Sequence, residues 1–138
     1  MILFINTTLN NEIELALKKD GKILACQNFS APHQQSEKLL PGIDKLLKKN
    51  KIKLSDLTGI EVENRGGSFT SLRIGVVTAN ALGFALKIPV CPKITNYKLQ
   101  ITNKNQKSKI KNQKFSIVEP AYDREPNITL KKQLTFDN

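Results

Sequence analysis

One stretch, NRGGSFTSLRIGVVTANALGFALKIPV from Asn64 to Val90, limits what this chain can fold into more than any other. A glycine pair, Gly66-Gly67, follows an apolar-alternating run over 59–63 and lets the backbone turn sharply. Ser68 and Thr70 can each cap the free N–H groups of a starting helix. From Leu72 to Leu86 the chain is then apolar nearly all round, and its long polar side chains, Arg73, Asn80 and Lys87, recur every seven residues as a narrow stripe. Such a helix is buried on more than one side, with one face on a sheet and another on a second helix, from this chain or a partner. Gly75, Ala79 and Gly83 recur at every fourth position, so small side chains line one face and let another backbone approach. Bulk at Ala79 is therefore expected to break assembly while the domain still folds. Ile88-Pro89-Val90 ends the helix and opens an apolar strand.

A glycine loop between a strand and a helix is also the generic anion site. This one lacks the Lys-Ser/Thr of a P-loop and the three-glycine spacing of a dinucleotide fingerprint. A tight turn into a buried helix is the simpler reading.

The rest of the chain supplies a sheet and one more helix. Ile2 to Asn6 is strand-like. Ile13, Leu15 and Leu17 alternate with polar residues, as do Ile23 and Ala25, and Asp20-Gly21 between the two runs is a strong hairpin signal. Leu39, Leu40, Ile43, Leu46 and Leu47 describe an amphipathic helix over 36–49, which Pro41-Gly42 should kink or delay. The expected order is β-β-β-α-β-α-β, a mixed sheet covered by helices.

At 138 residues the chain has room for one domain with a real core. No apolar run is expected to reach the ~20 residues of a membrane span, and Met1 to Ile5 is too short and lacks the basic flank of a signal peptide. A cytoplasmic location is the expectation. Cys26 and Cys91 have no metal-ligand spacing and are expected to be reduced and buried near strands. His33 has no second His or Cys-His partner and reads as a solvated loop residue.

Net charge is +10, but six lysines between Lys98 and Lys114 carry +6 of it with no acidic residue among them. That segment reads as a solvated, lysine-rich linker over 95–114. The sharper alternative is an RNA-steering strip through Lys104, Lys107, Lys109 and Lys111, although charge alone gives weak, salt-sensitive binding.

The stretch from Arg65 to Gly75, with Ala79-Asn80-Ala81-Leu82 and Ile88-Pro89-Val90, resembles the signature GPGSFTGLRIGxxxAKGLAxAxxIPV of the bacterial TsaB (YeaZ) family. Arg65, Gly66 and Ser71 depart from it, standing where that signature has Gly, Pro and Gly. Ser36 to Pro41 is similar to the family's Ser-Glu-x-Leu-Leu-Pro segment, with Gln35 in the place of a frequent His. Pro120 to Pro126 resembles its Pro-x-Tyr-x-Arg-x-Pro ending. The resemblance covers roughly 1–92 and 117–128.

The resemblance implies a single ribonuclease-H-like lobe of the actin-like (ASKHA) class over 1–94, with 115–138 as a short C-terminal extension. A lysine-rich bridge is expected where the family has a second lobe. The loop Gly66, Gly67, Ser68, Phe69, Thr70 and Arg73 is the family-motif loop. The family is a non-catalytic subunit of the machinery that makes N6-threonylcarbamoyladenosine in ANN-decoding tRNAs, beside its TsaD paralogue and the small ATPase TsaE. Its two helices build a bundle with TsaD or with a second copy of itself. Leu39, Ile43, Leu46, Leu72, Gly75, Val76, Ala79 and Gly83 are the interface residues expected on that basis.

In related folds the first strand runs into an Asp near metal-bound phosphates. Here Asn6-Thr7-Thr8 stands there, and an Asn brings no negative charge to a Mg²⁺ site. No catalytic residues, no metal and no cofactor are expected on this chain, with ATP and metal on the partner subunits and tRNA reached indirectly. The competing readings are a stand-alone basic RNA-binding protein and a degenerate nucleotide-binding ATPase.

Overall fold

The computed structural model describes residues 1–93 and 117–122. The expected linker over 95–114, its four lysines and most of the C-terminal extension lie outside the described residues. Five strands form one sheet in the order β3-β2-β1-β4-β5. They are β1 (Ile2–Asn6), β2 (Glu12–Lys19), β3 (Lys22–Ser30), β4 (Gly59–Val62) and β5 (Val90–Pro92). The first three run antiparallel as a meander, whereas β4 and β5 join β1 in parallel. Two helices, α1 (Gln35–Lys49) and α2 (Phe69–Leu86), complete the predicted order.

The meander follows from its turn. Asp20 and Gly21 both take positive φ, 52° and 78°. That pair matches the right-handed twist of the flanking strands and fixes Lys19 opposite Lys22. Beyond the turn the register slips between Leu17 and Lys18, so Lys18 faces Ile23 while Leu17 faces Ala25. The simple alternation of Ile23 with Ala25 is thereby broken, and Ile23 and Leu24 are both exposed on the edge strand.

The core sits on one face of the sheet. Leu3, Ile5, Ile13, Leu15, Leu17, Ile60, Val62 and Val90 point to that face and meet Leu39, Ile43, Leu46 and Leu47 of α1 and Leu72, Val76 and Ala79 of α2. Pro41 does not delay α1, which runs unbroken through it. Pro41 is exposed, and the buried residues on either side of it hold the helix to the sheet.

The small-residue face of α2 points inward, which corrects its expected role. Leu72, Gly75, Val76, Ala79 and Gly83 are buried against the chain's own sheet. A Cβ at Gly75 would collide with Thr7 Oγ1, and one at Gly83 with Val90 Cγ2. Leu39, Ile43 and Leu46 are likewise in this chain's core. All eight expected interface residues therefore hold the domain together, and bulk at Ala79 acts on folding rather than on assembly alone. Among the described residues the helix is buried on one side only. Val77 is 64% exposed and Phe84 72% exposed on its outer side. By length and composition α2 also reaches what a membrane span needs, with a mean hydropathy of 1.4 over 18 residues, contrary to the expectation for this chain. Its packing is that of a helix lying on a sheet.

The opposite sheet face is built differently. Cys26, Ala16, Phe4, Glu61 and Cys91 follow one another across it in register. Phe4 is nearly buried, roofed by the Lys18 and Lys93 ammonium groups at 4.5 and 5.1 Å from its ring. Those lysines pair with Glu61 at 3.0 Å and Glu63 at 3.3 Å. Cys26 is exposed rather than buried, because it sits on the edge strand, and Cys91 is half-buried. Burial, with Glu61 adding, raises the Cys91 thiol above its ordinary pKa.

Two predictions follow from this packing. Gly75→Ala is expected to destabilise by about 1–3 kcal/mol through overpacking on Thr7, whereas Gly59→Ala, whose Cβ would meet only ordinary contacts, is expected within about ±0.5 kcal/mol of the parent; urea denaturation midpoints separate the two. Near pH 8, iodoacetamide is expected to label Cys26 well before Cys91, because a raised pKa leaves less thiolate at Cys91; peptide mapping of the alkylated chain reads the order.

Candidate functional site: the glycine loop and the head of α2

The site forms where β1 ends, where α2 begins and where the tail returns. Ser68 is the N-cap of α2, its Oγ accepting from Ser71 N at 3.1 Å, so the helix starts at Phe69 rather than at Leu72. Thr70 lies exposed in the first turn and is not the cap. At the other end Lys87 takes a left-handed conformation (φ 55°), and Ile88 N donates to Gly83 O.

Gly66 and Gly67 both have positive φ, 77° and 70°. A Cβ at Gly67 would lie 2.6 Å from Thr8 O, whereas one at Gly66 would meet nothing within 4 Å. The close approach that Gly67 permits is thus to the chain's own first turn. That turn is tightly bonded. Asn6 Oδ1 accepts from Thr8 N and Thr8 Oγ1 at 2.9 and 2.8 Å, and Asn6 Nδ2 donates to Glu14 Oε2 at 3.0 Å. Thr7 is fully buried, and its hydroxyl donates to Ser71 O at 2.5 Å. Gln35, buried at the head of α1, donates through Nε2 to Thr7 O and Glu12 O. A metal-bound phosphate does not fit here: Asn6 is neutral, its amide is committed on both sides, and Thr8 lies against Gly67.

Residues 117–122 return along α2 toward its N-terminus. Asn80 Oδ1 accepts from Val118 N at 3.0 Å, and Asn80 Nδ2 donates to Val118 O at 2.8 Å. Ala121 N donates to Asn64 O at 2.8 Å, and Ala121 bridges in parallel to Arg65. Arg73 Nε donates to Tyr122 Oη at 2.7 Å, while the Phe69 and Tyr122 rings lie 4.9 Å apart. Gly66, Gly67, Ser68, Phe69, Leu72 and Tyr122 line an open cleft of about 370 Å³.

The structure therefore gathers Gly66, Gly67, Ser68, Phe69 and Arg73 of the motif loop into one site. Sequence reasoning missed Gln35 and Asn80. The signal for Asn80 was its seven-residue spacing from Arg73, since both reach the same tail. Gln35 was noticed only as a replacement for His.

Asn6→Asp would set a carboxylate against Glu14, with which Asn6 pairs in register. This substitution is expected to cost about 2 kcal/mol at pH 7. Repulsion raises the folded-state pKa of the pair above its unfolded value. The folded state then binds the extra proton more readily, so the loss shrinks as pH falls through that raised value; thermal melts of both chains at pH 7 and 5 check it.

A family model described as TsaD, tRNA N6-adenosine threonylcarbamoyltransferase, matches residues 29–112, more than half of the chain. The tRNA threonylcarbamoyladenosine biosynthesis protein TsaB of Buchnera aphidicola subsp. Schizaphis graminum is 32% identical over 90 residues, covering 65% of this chain and 42% of that protein. The tRNA N6-adenosine threonylcarbamoyltransferase of Rhodopirellula baltica is 30% identical over 105 residues, 65% of this chain and 29% of that enzyme. The solved structure of YeaZ from Pseudomonas aeruginosa superposes with a TM-score of 0.61 at 28% identity, over 67% of this chain and 42% of that one. The chain thus spans about two fifths or less of the length of the relatives it matches. With its actin-like, ribonuclease-H-like lobe and its glycine-loop motif, the chain belongs to the tRNA N6-adenosine threonylcarbamoyltransferase (TsaD) family and is similar within it to the TsaB (YeaZ) proteins.

Proposed function

We propose that this chain is a non-catalytic scaffold subunit in the formation of N6-threonylcarbamoyladenosine next to the anticodon of ANN-decoding tRNAs. It works in the cytoplasm by docking a TsaD-like paralogue, with a TsaE-like ATPase joining the pair. ATP and metal belong to those partners, and tRNA is reached through them. The observation that carries this reading is the outer side of the motif helix. Val77, Ala81, Phe84 and Ala85 of α2 are exposed, and Leu40 of α1 is 54% exposed. Exposed aliphatic side chains such as Val77 and Leu40, at helical spacing, suit a facing helix. The docking surface proposed is thus this outer side. A second copy of the chain is the competing occupant of the same surface. The neutral, fully bonded Asn6 supports a subunit that leaves the chemistry to its paralogue.

Co-expression with the TsaD-like protein of the same organism, followed by size exclusion with light scattering, is expected to give a one-to-one complex. Val77→Asp is expected to abolish that complex while changing chain stability by no more than about 0.5 kcal/mol, as at an exposed position. A homodimer alone, equally sensitive to Val77→Asp, would assign the surface to self-association. A chain that ignores the paralogue but shifts with tRNA alone, with a steep salt dependence, would replace the scaffold reading by that of a stand-alone RNA-binding protein.

A further inference from the structure

The segment 117–122 is held as a bound peptide would be. Asn80 does for Val118 what a neighbouring strand does, accepting from its N–H and donating to its carbonyl with one side-chain amide. Asn64 repeats this farther on: its Nδ2 donates to Glu119 O at 3.1 Å, and its own carbonyl accepts from Ala121 N. Main-chain recognition of this kind gives affinity, and side-chain anchors give selectivity. Two anchors are present. Val118 is 5% exposed and belongs to the core cluster. Tyr122, four residues on, is gripped by Arg73 and Phe69. All the groups that do the gripping lie in the single stretch 64–80.

The same segment touches both ends of the glycine loop. Arg65, just before Gly66, bridges to Ala121, and Phe69, just after Ser68, meets the Tyr122 ring. Two successive glycines lose more backbone freedom on ordering than any other pair, so a loop built on them needs fixing at its ends.

We propose that Asn64, Arg65, Phe69, Arg73 and Asn80 form a binding site for an extended peptide carrying an apolar residue and, four positions later, a tyrosine, and that the chain fills this site with its own residues 117–122 to fix the glycine loop. The proposal is independent of the scaffold reading, because it concerns contacts within one chain.

The test uses the full chain carrying Val118→Ser and Tyr122→Ala together. Amide hydrogen exchange over 64–72 is expected to rise at least about tenfold, with 13–17 in β2 unchanged, as for a local opening. A synthetic peptide of residues 115–126, labelled and followed by fluorescence anisotropy, is expected to bind this variant and restore protection over 64–72. The same peptide with both substitutions is expected to do neither, and adding Asn80→Leu to the chain is expected to abolish binding. Unchanged exchange over 64–72 would overturn the proposal. So would an equal rise in β2, which would make the tail an ordinary part of the core. A parent peptide that fails to bind the variant would overturn it as well.

Discussion

Gly75 of α2 rests on Thr7, and Gly83 rests on Val90. These two contacts place the helix axis close to the parallel half of the sheet, and much else depends on how close it comes. With side chains there, α2 would ride higher over β1 and β5. Thr7 could then no longer donate to Ser71 O, and Val76 and Ala79 would lift off Leu3, Ile5 and Val62. The same approach brings the head of α2 down to the end of β1, where Gly67 meets Thr8. Helix, glycine loop and first turn are thus one packed unit, and interiors at this density move together or not at all.

That unit explains why residues with the look of a phosphate site are used for structure here. The Thr7 hydroxyl is committed to Ser71 O, that of Thr8 to Asn6 Oδ1, and the space beside Gly67 is filled by Thr8. Asn6 completes the arrangement because its amide is both donor and acceptor, serving Glu14 and Thr8 at once. A carboxylate can only accept when ionised, so it could not satisfy both neighbours.

The two faces of the sheet are closed by different physics. One is covered by two helices and the apolar core. On the other, Phe4 is roofed by two ion-paired lysines whose aliphatic stems and ammonium groups shield the ring. The second arrangement presents charge outward, whereas the outer side of α2 presents Val77 and Phe84. On the docking reading proposed above, the helical side of the domain rather than the charged sheet face meets the partner.

Sequence alone determined the element order, the Asp20-Gly21 hairpin and the place of the glycine loop, because each rests on local backbone chemistry: positive φ, strand alternation and helix capping. It also determined the family, through a motif long enough to be legible without coordinates. It could not decide which way α2 faces. A helix apolar on most sides has almost no moment to orient it, so only the fit of Gly75 on Thr7 and Gly83 on Val90 turned the small residues inward and left Val77 and Phe84 outside. The exposure of Cys26 and the register slip that leaves Leu24 without a partner position opposite depended on which strand became the edge. The pairing of Asn80 with Val118 joins residues 38 positions apart. The seven-residue spacing of Arg73 and Asn80 marks a polar stripe but not what it meets; the contact exists only once the tail has been brought back over the helix.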